Sequence, residues 1–259
     1  MDPNIDLTLI QLATAYVFVV ILLFIVRHRG IKRESDIILA SIRMTLQLVL
    51  IGYVVVYIFD NPSPFYTLIF IVLMEAFAIF NIFTRVKEDI SSDLKKIIAL
   101  SMIVGTLSSM VYFLFIVIRI TPWYNPRYFI PITGMLIGNS MTGISLGVSR
   151  LIGGIQSNKN QIESALMLGA LPKIAVKGIV DNAFDAAVLP TINSMVGMGI
   201  VFLPGMMTGQ ILAGLSPISA IKYQIAIMLG ILGSVSLTVI IFINLGYKTF
   251  FNKDSQLKI

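Results

Sequence analysis

Glu75 and Arg43 are the acidic and the basic residue that stand inside otherwise apolar stretches of this 259-residue chain. A charge in hydrocarbon is costly and faces a partner, a bundle interior or water. Counted at about 1.5 Å per residue from the nearer basic loop, Arg43 stands roughly 10–12 Å deep and Glu75 about 13 Å. Equal depth on consecutive, oppositely running spans allows two readings. One is a structural ion pair; the other is a carboxylate that faces a translocation path and binds a cation. Amides gather at similar depth: Gln47 one turn beyond Arg43, Asn81 after Glu75, then Asn139 and Asn193. Each can bond across helices as modest glue, and together they are candidates for a polar path. Met195, Met198, Met206 and Met207 offer soft thioether ligands, or ordinary membrane filler. The run Leu203-Pro204-Gly205 is expected to break a helix near its outer end, with 206–214 forming a short outer helix or re-entrant piece. Pro204, Gly205, Met206, Met207 and Gln210 are therefore candidates for a gate.

Other chemistry is excluded by what the chain lacks. There is no cysteine, hence no disulfide, thiolate nucleophile or thiolate metal ligand, and the one histidine, His28, lies in a basic loop. No P-loop, H-E-x-x-H or G-x-S-x-G occurs. The chain is expected to be no enzyme and to bind no cofactor; if ATP drives it, another chain binds the nucleotide.

Membrane-spanning helices must position these residues. The chain is 57% hydrophobic and 12% charged, and its mean hydropathy is +0.91. The apolar residues fall in seven runs, 7–26, 37–59, 65–83, 97–118, 129–148, 186–203 and 221–245. Each is about long enough to cross a hydrocarbon core of roughly 30 Å. None alternates as a barrel strand would, so helices are the physical solution. The first run is too long for a removed signal peptide and is read as a retained helix. The expectation is an all-α polytopic protein of about seven transmembrane helices, one membrane domain over 1–259 with a cytoplasmic loop at 149–185. Fifteen of the 19 lysines and arginines fall in alternate loops, among them Arg27, Lys87, Lys159 and Lys248, and three in the others. That bias places the N-terminus outside and the C-terminus in the cytoplasm, and it accounts for the net charge of +6 without nucleic acid. Trp123, Tyr124 and Tyr128 suit an interfacial aromatic belt. Gly134/Gly138, Gly143/Gly147 and Gly205/Gly209 have the G-x-x-x-G spacing of closely packed helices.

The loop reads Glu163-Ser164-Ala165-Leu166-Met167-Leu168-Gly169-Ala170. A short helix ending at Gly169 and stopped at Pro172 makes a rigid peg, with Ile162, Leu166 and Leu168 as apolar docking groups. The segment resembles the E-A-A-x-x-x-G coupling motif of ABC-transporter permeases, with Ile179 at the family's spacing and Asp181-Asn182 where Leu-Pro is expected. Two longer stretches carry the resemblance further. Arg127-Tyr-Phe-Ile-Pro131-Ile-Thr-Gly134-Met-Leu-Ile-Gly138-Asn139-Ser-Met-Thr-Gly143-Ile-Ser-Leu146 is similar to one signature of the FetB-type family of iron-export ABC permeases. Leu189-Pro190-Thr-Ile-Asn193-Ser-Met195, with Leu203-Pro204-Gly205-Met-Met-Thr208-Gly209-Gln210-Ile-Leu-Ala-Gly214 and Tyr223-Gln224-Ile225, is similar to its second. The resemblance implies a permease of the cell membrane that forms the path for a metal ion, as iron export, and pairs with a second copy. It implies a separate ABC ATPase chain that uses ATP and magnesium and docks on Glu163, Ser164, Ala165, Leu166, Leu168 and Gly169. Plant relatives are linked to aluminium tolerance, so cargo varies within the family. Ion-coupled secondary transport or a channel built on Glu75 and Arg43, and a scaffold without transport, are the alternatives.

Overall fold

A computed structural model of the chain describes residues 7–86 and 88–258; Lys87, one of the loop cations counted above, lies outside them. Among the described residues all regular structure is helical, with two isolated backbone bridges and no strand. The chain divides into two compact units, one ending at Asn61 and one beginning at Pro62.

The first unit holds three helices. Helix α1 (Leu9–Ala15) starts at a capping box, where Thr8 and Gln11 each satisfy the other's backbone N–H. Tyr16 interrupts it before α2 (Val17–His28). Helix α3 (Glu34–Asp60) packs back on α2, and the Tyr16 and Thr45 hydroxyls are hydrogen-bonded. Val26 and Ile58 are the residues buried along these helices, so most of their apolar surface is uncovered within the unit.

The second unit carries the packed core. Helix α4 spans Pro64–Arg85, and α5 (Ser92–Val111) runs on into a π-helix, Tyr112–Ile118. Helix α6 (Pro126–Ser157) is the longest, followed by α7 (Lys159–Met167), α8 (Pro172–Ala175) and α9 (Lys177–Gly197). Helices α10 (Gly205–Leu212) and α11 (Pro217–Gly246) complete it, with a 3-10 turn at Tyr247–Phe250. Local chemistry sets the starts. Ser63, Ser91, Asn125 and Ser216 cap α4, α5, α6 and α11 by accepting from first-turn N–H groups. Proline opens α4, α6 and α11, where its missing N–H has no partner to lose. The core is built where α11 meets α5 and α6, and where α6 meets α4 and α9.

Among the described residues six helices are long and apolar enough to cross a membrane: Leu9–His28, Glu34–Asp60, Pro64–Arg85, Ser92–Ile118, Pro126–Ser157 and Pro217–Phe250. The run expected at 186–203 is different. It lies in α9, which begins at Lys177, carries Asp181, Asn182, Asp185 and Asn193 among its apolar residues, and ends at Gly197. The helix stops six residues before the expected break at Leu203-Pro204. Gly199, at φ +85°, turns the chain, and Pro204 then serves as the N-cap of α10. The fifth run also continues past 148, because α6 stays helical to Ser157 and so takes in the start of the 149–185 loop.

Candidate functional site

Helix α4 buries Thr67, Ile71, Glu75, Ala78 and Ile82 along one stripe at helical spacing. Glu75 therefore faces the bundle, with 7% of its surface exposed. The Thr106 hydroxyl of α5 lies 3.1 Å from Glu75 Oε2 and 2.7 Å from the Met102 carbonyl, sharing its one proton between them. Glu75 Oε1 is buried and has no hydrogen-bond partner, and neither has the buried hydroxyl of Thr133 on α6. Next to Thr133, the tip of Met74 reaches within 3.0 Å of the place a Cβ on Gly134 would take. Next to Thr106, a Cβ on Gly105 would stand 2.6 Å from Cα of Thr238 on α11. One turn before Thr238, the Ser234 hydroxyl pairs with Ser140 of α6 at 2.9 Å, fully buried. A buried carboxyl and five buried hydroxyls, those of Thr106, Thr133, Ser140, Ser234 and Thr238, thus lie on four packed helices, spread over about 10 Å along α6. Two unsatisfied members in so apolar a surrounding are costly, which makes these groups the candidate functional site.

The other expected path residues fall in three places. Arg43 and Gln47 stand one turn apart on α3, exposed, in the first unit; Glu75 is in the second, and their pairing passes to the proposal below. Asn81 is half-buried on α4. Asn139 and Asn193 are exposed, and Asn139 donates to the Met135 carbonyl of its own helix at 2.8 Å. Helices α6 and α9 pack where Gly143 and Gly147 face Ala187. Antiparallel packing about that contact sets Asn139 and Asn193 at nearly the same height, outside the unit's core.

Met195 and Met198 are half-buried at the end of α9, and the Met198 sulfur lies 3.7 Å from the Gln224 amide nitrogen that donates to it. In α10, Met206 is half-buried, Met207 buried, and Gln210 has a buried side-chain oxygen without a partner. Among the described residues no three or more His, Cys, Asp or Glu side chains come together in a metal-binding group. Of the G-x-x-x-G pairs, Gly143/Gly147 is a packing face; Gly138, Gly205 and Gly209 meet no atom within 4 Å of a built Cβ.

At the far end of α6 the expected peg is present. Helix α7 ends in a Schellman motif: Gly169 N–H donates to Leu166 O at 2.9 Å and Ala170 N–H to Ala165 O at 3.0 Å. Gly169 takes φ +86°, which glycine adopts without strain. Ser164 donates to the Asn160 carbonyl of its own helix, and Glu163 and Ala165 are half-buried. Of the three expected apolar docking groups, only Leu168 is exposed. Ile162 is buried in the chain's own core and Leu166 packs against it, anchoring α7. The outward apolar groups are Met167, Leu168, Leu171 and Ile174, exposed by 86, 90, 66 and 63%. Lys177, beyond the tip, donates to Asp181 at 2.7 Å, and that bond holds its ammonium above the ordinary lysine range.

The hydroxyls of the buried layer had no signal in the sequence. Serine and threonine inside spans commonly bond their own helix, as Thr238 also does to the Ser234 carbonyl at 2.6 Å. Only the packing of four helices shows that they converge.

The chain is similar over most of its length to other membrane proteins. It is 38% identical to "UPF0014 membrane protein YjkA" of Bacillus subtilis, over 96% of this chain and 98% of that one. It is 33% identical to "Probable iron export permease protein FetB" of Escherichia coli, over 95% and 93%. "Protein ALUMINUM SENSITIVE 3" of Arabidopsis thaliana is 32% identical, over 96% and 90%. No solved structure matches. The model of the "Uncharacterised protein family (UPF0014)" matches residues 9–251, and with its six apolar helices the chain belongs to that family as a multi-pass protein of the cell membrane.

Proposed function

We propose that the chain is the membrane-spanning subunit of an ABC transporter that exports a metal ion, with iron as the cargo. In this reading a separate ATPase chain binds ATP and magnesium, and two copies of this chain form the path. The observation that carries it is the apolar tip of Met167, Leu168, Leu171 and Ile174 between α6 and α9. An apolar knob on a rigid, capped helix gains from burial, and a groove on a partner ATPase is the surface that covers it. The Escherichia coli relative's name supports iron export, and the Arabidopsis relative's name supports a family that meets more than one metal. Helix α9 makes the seventh crossing, with the N-terminus outside and the tip in the cytoplasm. Glu75 and the hydroxyl layer meet the cargo, Arg43 pairs with Glu75, and Gln47, Asn81, Asn139, Asn193, Met195 and Met198 extend the path. Helix α10, from Pro204 and Gly205 through Met206, Met207 and Gln210, gates its outer end.

Vesicles holding the chain and its ATPase test this directly. ATP-dependent iron flux is expected, and Leu168→Asp, Gly169→Arg or Glu163→Lys should abolish it and release the ATPase from the membrane. Gly169→Arg adds a local strain of roughly 1–2 kcal/mol from the left-handed conformation. Insertion should be normal for all three, since they lie outside the expected spans. Full flux and retained ATPase in these variants would sink the proposal. The buried, half-unpartnered carboxyl of Glu75 favours a second reading, ion-coupled transport without ATP. Flux driven by an ion gradient alone would establish that one.

A further inference from the structure

A groove of about 670 Å³ runs between the π-helix and α11 and reaches Ser234 at its inner end. Its walls are apolar: Tyr112, Phe113 and Val117 on one side, Ile225, Leu229 and Leu237 on the other. Two glycines of α11 make it hollow. The Phe113 ring covers Gly230, leaving a built Cβ only 2.8 Å from its nearest atom, whereas Gly233, one turn on, faces open space. Three serines line the inner end: Ser234 is paired with Ser140, Ser108 donates to the Val104 carbonyl, and Ser109 adds a further hydroxyl. The one charged side chain on the lining is Lys222, at the opposite end. A smaller hollow of about 210 Å³ adjoins there, and Lys222 lines both. Among the described residues Lys222 forms no ion pair.

This surface fits a ligand with a long apolar tail and one anionic end. From Lys222 to Leu237 the groove follows α11 for roughly 22 Å, at about 1.5 Å per residue. That matches one leaflet with its headgroup region, half of about 40–45 Å. A flexible acyl chain can follow so long an apolar groove, and a phosphate completes the charge on Lys222. A π-helical wall agrees with a site, since the wide turn is rare and occurs mostly where it serves a function. We propose that this groove holds one acyl chain of an anionic phospholipid, with the phosphate on Lys222.

Native mass spectrometry of the full chain in detergent, titrated with phosphatidylglycerol or phosphatidylcholine, tests it. One phosphatidylglycerol per chain should bind in preference to phosphatidylcholine. Lys222→Gln should erase that preference, about fivefold for one basic residue at a headgroup. Gly233→Leu should fill the groove and remove binding of both lipids while the thermal midpoint holds, because the added side chain enters open space. Equal binding of the two lipids by the unaltered chain would overturn the proposal, as would unchanged phosphatidylglycerol binding in both variants. A Gly233→Leu chain that loses its self-association rather than its lipid would assign the groove to a second copy and overturn it equally.

Discussion

Glu75 is held by half of one hydroxyl proton, and its other oxygen has nothing. Two substitutions separate structure from function here. Thr106→Val strips the remaining partner and should destabilise the chain by about 1–3 kcal/mol, read as a lower melting midpoint in detergent. Glu75→Gln keeps size and hydrogen-bonding capacity, so it should melt near the parent while flux collapses. Should Glu75→Gln carry full flux, the carboxyl has no part in the path. The proposed pairing with Arg43 adds that the double neutral variant is better tolerated than either single one, because neither charge is left alone. Glu75 was legible because a lone carboxylate in an apolar run is conspicuous. Thr106, Ser140 and Ser234 were not, since a hydroxyl among apolar residues reads as a self-bonded one until a neighbouring helix supplies its partner.

Among the elements, closeness of approach decides what a glycine is for. Gly105 touches the Thr238 backbone and Gly209 touches nothing, yet only Gly209 belongs to a G-x-x-x-G pair. Gly105→Val should therefore force α5 from α11 and lower stability by about 1–3 kcal/mol, while Gly209→Ala should be neutral or mildly stabilising. Thermal unfolding of both in the same detergent checks this; equal midpoints would contradict the α5–α11 contact. Spacing within one segment shows that two glycines share a face, and it is silent on which helix meets that face. The same limit explains α9. Its apolar run was visible, but Gly199 ended it before Pro204, and a proline tolerated at a helix start was mistaken for a stop. The Schellman end of α7 was legible because its signal is local, a glycine followed by a proline.

On the scale of the whole molecule, the membrane class and six of the seven expected spans followed from hydropathy, while the remaining run, 186–203, is not among the six long apolar helices of the described residues. The division into two units did not follow from hydropathy, because it depends on which surfaces bury each other. Orientation is testable without a structure: reporters fused after Arg33, Asp93 and Lys159 should all report cytoplasm, and an outside signal at any one of them would reverse the proposed topology. The length of α6 bears on how the chain works as a machine. At about 1.5 Å per residue its 32 residues reach about 48 Å, well beyond a core of roughly 30 Å. Ser140 of the buried layer and the root of α7 lie on this one rod, about 26 Å apart. A tilt of about 10° pivoting at Ser140 would swing the far end by about 4–5 Å, nearly the pitch of one helical turn. The chain thus contains a lever arm whose fulcrum sits where the cargo is proposed to pass, so a modest push at the tip arrives as rotation rather than as a signal relayed from contact to contact.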